Sequence, residues 1–205
     1  MAKRLLTKQQ IVEAAYQMLN ERTSSECSMR ALGARLGVSA MTLYSYVKDR
    51  DELFGYVYEM FITQVDTDPI PGEAWDDTLR RITMSYATLV ATNMRQSSLD
   101  RKPAAAQAKV DFGKRVAKVL LDQGMPNELV SKVLNMVVSL SVGAGLRSFS
   151  SHITNEIALV EQPASPEEEA VRNSYSEDAL VLGTEAIINH IKAISPEPCT
   201  WRTPL

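Results

Sequence analysis

Between Ser28 and Asp49 the chain carries three residues suited to capping a helix start, with a glycine, Gly37, lodged between the first two. A side-chain oxygen at Ser28, Ser39 or Asp49 can accept from the free amides of the turn that follows, so each marks a new beginning. Gly37 stands where a left-handed residue would close the helix begun at Ser28, a conformation glycine takes without steric cost. The spacing predicts a helix over 29–36, a turn Leu36-Gly37-Val38-Ser39, and a second short helix to Val47. Asp49-Arg50-Asp51-Glu52 has the form of a capping box and opens a longer helix over 50–64. No alternating strand pair accompanies this punctuation.

Helical spacing continues on either side. Thr7 with Gln10 forms a capping box ahead of a stripe of Ile11, Ala15, Met18 and Leu19. The stretch Asp66-Thr-Asp-Pro-Ile-Pro-Gly-Glu73 holds two prolines and a glycine, so no helix passes through it, and a domain boundary is expected there. Beyond it, a helix over 74–94 presents Trp75, Leu79, Ile82, Tyr86, Leu89 and Val90. Another over 103–123 stops at Gly124, and a third follows Pro126 to about residue 152. A polar segment, 161–176, interrupts, and Ser165-Pro166-Glu167-Glu168 offers a start for a last helix reaching Ile194. The fold class is all-α: an N-terminal three-helix helix-turn-helix head (1–50), a connecting helix (51–65), a larger C-terminal helical bundle (74–194), and a loose tail with three prolines (195–205).

Composition narrows the class further. Of 205 residues, 45% are hydrophobic and 23% charged, which excludes a disordered or fibrous chain. Cys27 and Cys199 are the only cysteines, too few for a disulfide framework or a cysteine zinc module, and fit a reducing cytosol. The N-terminus lacks a signal-peptide apolar region and no run of 18 uninterrupted apolar residues occurs, so a cytoplasmic location without membrane contact is expected. Net charge is −3, but residues 1–50 hold eight Lys/Arg against four Asp/Glu, and 51–205 hold 14 against 21. A basic leading part on an acidic body suggests an anion-binding head.

Two short helices joined through a glycine turn form a helix-turn-helix, which lets the second helix enter a DNA major groove. Val38 and Leu43 anchor that second helix, and its exposed side is expected to be Ala40, Met41, Thr42, Tyr44 and Ser45, with double-stranded DNA as the partner. Ala40 and Met41 lack bidentate donors and favour apolar contact such as a thymine methyl. Lys48 and Arg50 supply charge-assisted phosphate bonds, opposed locally by Asp49 and Asp51. Lys3 and Arg4 offer a possible arm at the terminus.

The run from Met29 to Phe54 resembles the DNA-binding head of the TetR family of transcriptional repressors, specifically at Leu36-Gly37-Val38, Thr42-Leu43-Tyr44, Val47-Lys48 and Arg50 through Leu53, with Ile11-Val-Glu-Ala-Ala-Tyr16 also similar. Gly33, where the family usually has alanine, Thr23-Ser-Ser-Glu26 without its usual glycine, and Tyr46 depart from the pattern. The resemblance implies a ligand-responsive regulator, most often a repressor, binding a palindromic operator as a homodimer and released by an unknown small-molecule effector. It implies a base or phosphate contact for Arg30, base-edge positions for Ala40, Met41 and Thr42 beside the cap Ser39, and phosphate contacts for Tyr44, Lys48 and Arg50.

Residues 129–149 are apolar nearly all round, which a small domain tolerates only where a second chain covers one face. Ser139, Gly143 and Leu146 there, with Leu180, Gly183, Ile187 and Ile191 on the last helix, are the expected dimer interface, a four-helix packing. An effector site is expected where Thr83, Tyr86, Asn93, Asn135 and Arg147 interrupt apolar faces beside Phe112. Catalytic residues, metal ligands and cofactors are expected to be none: His152 and His190 are isolated and no phosphate-binding glycine loop is present. The alternative to a regulator is a helical protein-interaction module without specific DNA binding, which would show no salt-dependent DNA affinity.

Overall fold

The computed structural model describes residues 6–21, 25–154, 165–173, 178–195 and 200–204. Lys3, Arg4 and the 161–164 part of the polar segment lie outside them. Among the described residues ten α-helices run in order: α1 (Lys8–Glu21), α2 (Met29–Leu36), α3 (Ala40–Leu43), α4 (Arg50–Ile62), α5 (Trp75–Thr92), α6 (Met94–Ser97), α7 (Ala106–Asp122), α8 (Asn127–Thr154), α9 (Pro166–Asn173) and α10 (Asp178–Ile194). Short 3-10 turns at Ser98–Arg101 and Pro103–Ala105 lie between α6 and α7. Among the described residues the only β pairing is an isolated bridge between Ala74 and Arg202.

The capping logic holds at each early helix. The Gln10 amide donates to Thr7 Oγ1 at 3.2 Å, and Gln10 Oε1 accepts from the Thr7 amide at 3.0 Å. Gly37 closes α2 with φ +68° and ψ +27°. Two segments are shorter than the spacing predicts. The helix after Ser39 is α-helical only to Leu43, after which Ser45 and Tyr46 donate to Thr42 and Leu43, three residues back, and the last turn tightens. The helix expected to reach Met94 stops at Thr92, because Asn93 leaves helical geometry at φ −132° and ψ +48°. The single helix expected over 165–194 is two helices, α9 and α10, with 174–177 outside the described residues.

The chain divides into two compact units, one of residues 1–64 with 93–112, the other of 65–92 with 113–205. The first change of unit falls after Gln64, and residues 93–112, assigned from sequence to the second domain, cluster with the head. Residues 93–96 grip α1: Tyr16 donates to Asn93 Oδ1 at 2.9 Å, the buried Gln96 amide donates to Tyr16 O at 3.1 Å and Asn20 Oδ1 at 2.6 Å, and Arg95 bonds Asn20 O at 2.6 Å. Arg95 thus supplies donors to carbonyls that the helix end leaves open. Nearby, a Cβ at Gly55 of α4 would lie 2.7 Å from Ala104 O, so only glycine admits that backbone contact.

In the second unit α5 packs along α8. Gly145, not Gly143, makes the close crossing: its Cβ would stand 2.6 Å from Val90 Cβ and 2.7 Å from Ala87 O, while nothing lies within 4 Å of Gly143. Two residues on a helix are about 200° apart, so the two glycines face opposite ways. The tail expected to be loose is docked at its end. Thr203 donates to Glu73 O at 2.9 Å and accepts from Gly72 at 3.0 Å, and Trp201 is buried against Trp75 with ring centres 5.8 Å apart.

Candidate nucleic-acid interface

The turn is built from backbone outward. Ser28 Oγ accepts from the Ala31 amide at 3.2 Å, fixing the start of α2. After Gly37, the Val38 amide donates to Gly33 O at 2.9 Å. A Cβ on Gly33 would meet Val38 O at 2.8 Å and Ala40 N at 3.2 Å, so this glycine lets α3 ride against α2 more closely than alanine would. Ser39 Oγ caps α3 through the Thr42 amide at 3.2 Å and lies 3.0 Å from Thr42 Oγ1.

Two side chains hold this short helix down. Leu43 is fully buried and Val47 is 2% exposed, whereas Val38, expected as an anchor, is only half-buried. Everything else on α3 and its last turn points outward to some degree. Met41 is 77% exposed and Tyr44 43%. Ser39, Thr42 and Ser45 are exposed and Ala40 half-buried. Exposing so large a share of a methionine is costly in water and marks a surface meant to be covered.

The cations fall into two groups. Arg30 on α2 and Lys48 after α3 are exposed. Arg50 is half-buried: its Nε donates to Cys27 O at 3.0 Å and its guanidinium lies 4.7 Å from the Phe54 ring centre, so it ties the start of α4 to the strand of chain entering α2. The Nε of Arg50 thus serves the scaffold. Asp49 caps α4 through the Glu52 amide at 2.8 Å, and Glu52 in turn accepts from the Lys48 amide, which holds its carboxyl below the usual carboxylate range. Lys102, which the sequence reading did not single out, pairs with Asp51 at 3.1 Å and offsets part of the local negative charge. Its position 51 residues along the chain gave no local signal.

The residues chosen for an effector site belong to both units. Thr83 and Tyr86 are buried on α5 in the second unit, Asn93 and Phe112 belong to the head unit, and Asn135 and Arg147 are exposed on α8. Thr83 keeps its hydroxyl without a partner while Ser141 Oγ donates to Thr83 O at 3.2 Å. The dimer residues also split. Ser139, Gly143 and Leu146 are exposed, but Ile187 and Ile191 are interior to their own unit, and Gly183 brings α10 onto Leu140, whose Cδ1 would lie 2.9 Å from its Cβ. Leu180 is half-buried. The large exposed apolar residues on α10 are Val181, Leu182 and Ile194, which the choice of small residues overlooked. No cluster of three metal-ligating side chains occurs among the described residues.

A capped helix pair with a glycine turn, presenting an exposed helix beside exposed cations, defines the class of DNA-binding helix-turn-helix transcription regulators. Residues 11–57 match the family model described as bacterial regulatory proteins, tetR family. The tetracycline repressor protein class D of Escherichia coli is 24% identical over 195 residues, covering 89% of this chain and 88% of that protein. Among solved structures, the TetR family protein ActR of Streptomyces coelicolor, in complex with (S)-DNPA, superposes with a TM-score of 0.68 at 22% identity, over 92% of this chain and 98% of that one. BioQ with its natural double-stranded DNA operator gives 0.64 at 16% identity, over 92% and 99%. At such identities the structural likeness speaks for the fold alone. The chain is thus similar to TetR family regulators, and residues 11–57 carry the match to the family's model.

Proposed function

We propose that this protein is a repressor that binds a palindromic DNA operator as a homodimer in the cytoplasm and is released by a small-molecule effector held in the second unit. The observation that carries the DNA half is the exposure of Met41 and Tyr44 on a helix otherwise pinned by Ser39, Leu43 and Val47. Met41, Thr42 and Ala40 read base edges, Tyr44, Lys48 and Arg30 meet the backbone, and Arg50 keeps α4 and the approach to α2 in register. BioQ, solved with its operator, and ActR, solved with a small ligand, are relatives in fold that support the two halves of the reading.

The homodimer rests on α8 and α10. Met136, Leu146, Val181 and Leu182 are between 38% and 72% exposed. By length and composition α8 could cross a membrane. A protein partner suits it better than lipid, because Lys132, Asn135, Ser139 and Arg147 are also exposed along it. Two heads about 34 Å apart would meet successive major grooves on one face of the duplex.

Selection of bound fragments from random duplexes tests the reading. A two-fold symmetric consensus, bound more weakly as salt rises, is the expected result, and an absence of enrichment would refute it. Leu182→Glu should turn a dimer into a monomer in analytical ultracentrifugation with helix content kept. An unchanged mass would remove α10 from the interface.

A further inference from the structure

We infer that the C-terminal segment 200–204 is a peptide ligand carried in its own chain, and that the second unit contains a seat for an extended peptide reading a tryptophan and, two residues on, a threonine. The seat is formed by residues 72–75 and the end of α7. Three backbone hydrogen bonds align the segment antiparallel to the loop: Trp75 N to Trp201 O at 3.2 Å, Thr203 N to Glu73 O at 2.9 Å, and Gly72 N to Thr203 O at 3.0 Å. Side chains alternate as on a strand, with Trp201 and Thr203 buried and Arg202 and Pro204 exposed.

Each inward side chain meets a dedicated surface. The Trp201 indole lies edge-on to Trp75, and Gly124, at φ +99°, brings bare backbone up to it, with Trp201 Cδ1 3.4 Å from where a Cβ would stand. The Thr203 hydroxyl accepts from Gln123 Nε2 at 2.9 Å, an amide that also donates to Thr78 Oγ1 at 2.7 Å. Outside, Arg202 reaches Gly72 O at 3.3 Å. Backbone pairing supplies affinity and alternate pockets supply selectivity, the division of labour of strand-addition peptide sites. The opposite side of the same loop is fixed independently by Arg81, which donates to Asp66 O at 3.1 Å, Asp68 O at 3.0 Å and the Glu73 carboxylate at 2.7 Å. The loop therefore keeps its seat-like form when the tail leaves, which separates a seated ligand from a strand of the core.

A chain ending at Cys199 and a full-length Trp201→Ala variant test this together, each checked for helix content by far-ultraviolet circular dichroism. Both should stay helical, exchange the Gly72 and Trp75 amides about tenfold faster than the intact protein, and emit from Trp75 at longer wavelength. A synthetic peptide of residues 200–204 added in trans should restore protection and emission saturably, its Thr203→Val form more weakly, and a scrambled peptide not at all. Unchanged exchange in both variants, no rescue, or equal rescue by the scrambled peptide would overturn the inference. Loss of helix in both variants would overturn it too, since the segment would then be inseparable from the core.

Discussion

In the head unit the shielded long-range polar bonds include Tyr16 with Asn93 and Gln64, and Gln96 with Tyr16 O and Asn20; where an ion takes part it meets a neutral group, as Arg50 does at Cys27 O and Asp100 at the Tyr58 hydroxyl. Its ion pairs, Arg35 with Glu21 and Lys102 with Asp51, have side chains 37–67% exposed and contribute little in solvent. In the second unit buried neutral bonds such as Gln123 with Thr78 and Thr203 stand beside partly shielded ion pairs. Arg81 and Glu73 have side chains only 16% and 10% exposed, and Arg80 binds Glu185 through Nε and Nη2 while Lys192 binds Asp76. Arg81 holds the Glu73 carboxyl below the usual carboxylate range, and Arg80 does the same for Glu185. The Arg81–Glu73 pair is thus more shielded than the ion pairs of the head.

The largest expected effect breaks the head alone. Leu43→Ala removes the one fully buried side chain of α3 and should cost about 2–5 kcal/mol in thermal unfolding of the head unit. A loss well under that range would mean that capping, not packing, holds the helix. Next comes Glu73→Gln, expected to cost about 2 kcal/mol by loss of charged hydrogen bonds. A carboxyl depressed in the folded state stabilises above its unfolded value near 4.3 and loses that contribution as pH falls through the folded value. Urea midpoints of wild type and Glu73→Gln should therefore converge in acid, and a constant gap would contradict the ionic account.

A smaller and more selective effect concerns the exposed face. Thr42→Ala should alter preference at one base pair by about 1–3 kcal/mol, while Lys48→Ala should weaken all duplexes alike and flatten the salt dependence. Identical binding profiles for the two variants would undo those roles. Smallest is Ser39→Ala, about 1 kcal/mol of stability from one cap, read as a shift in melting temperature.

Local chemistry was legible where the cause is local. Ser28, Ser39, Asp49 and Gly37 act within three or four residues, so the helix starts and the turn followed from spacing, and Met41, Thr42 and Tyr44 from the same helical phase. Contacts between distant residues were not. Lys102 meeting Asp51, Gly145 meeting Val90, and Thr203 meeting Glu73 depend on how helices come together, which periodicity on one element does not encode. The assignment of Asn93 and Phe112 to the head unit was hidden for the same reason, since polarity and periodicity carry no information on which unit receives a residue.

The return of residues 93–112 to the head has a practical side for anyone exchanging modules between such proteins. A graft cut after residue 64 would strand Tyr16, Asn20 and Tyr58 without Asn93, Gln96 and Asp100, three neighbours that arrive only after α5 has been translated. Chimeras that keep both stretches from the same parent should express as soluble protein, and those that split them should be recovered from inclusion bodies.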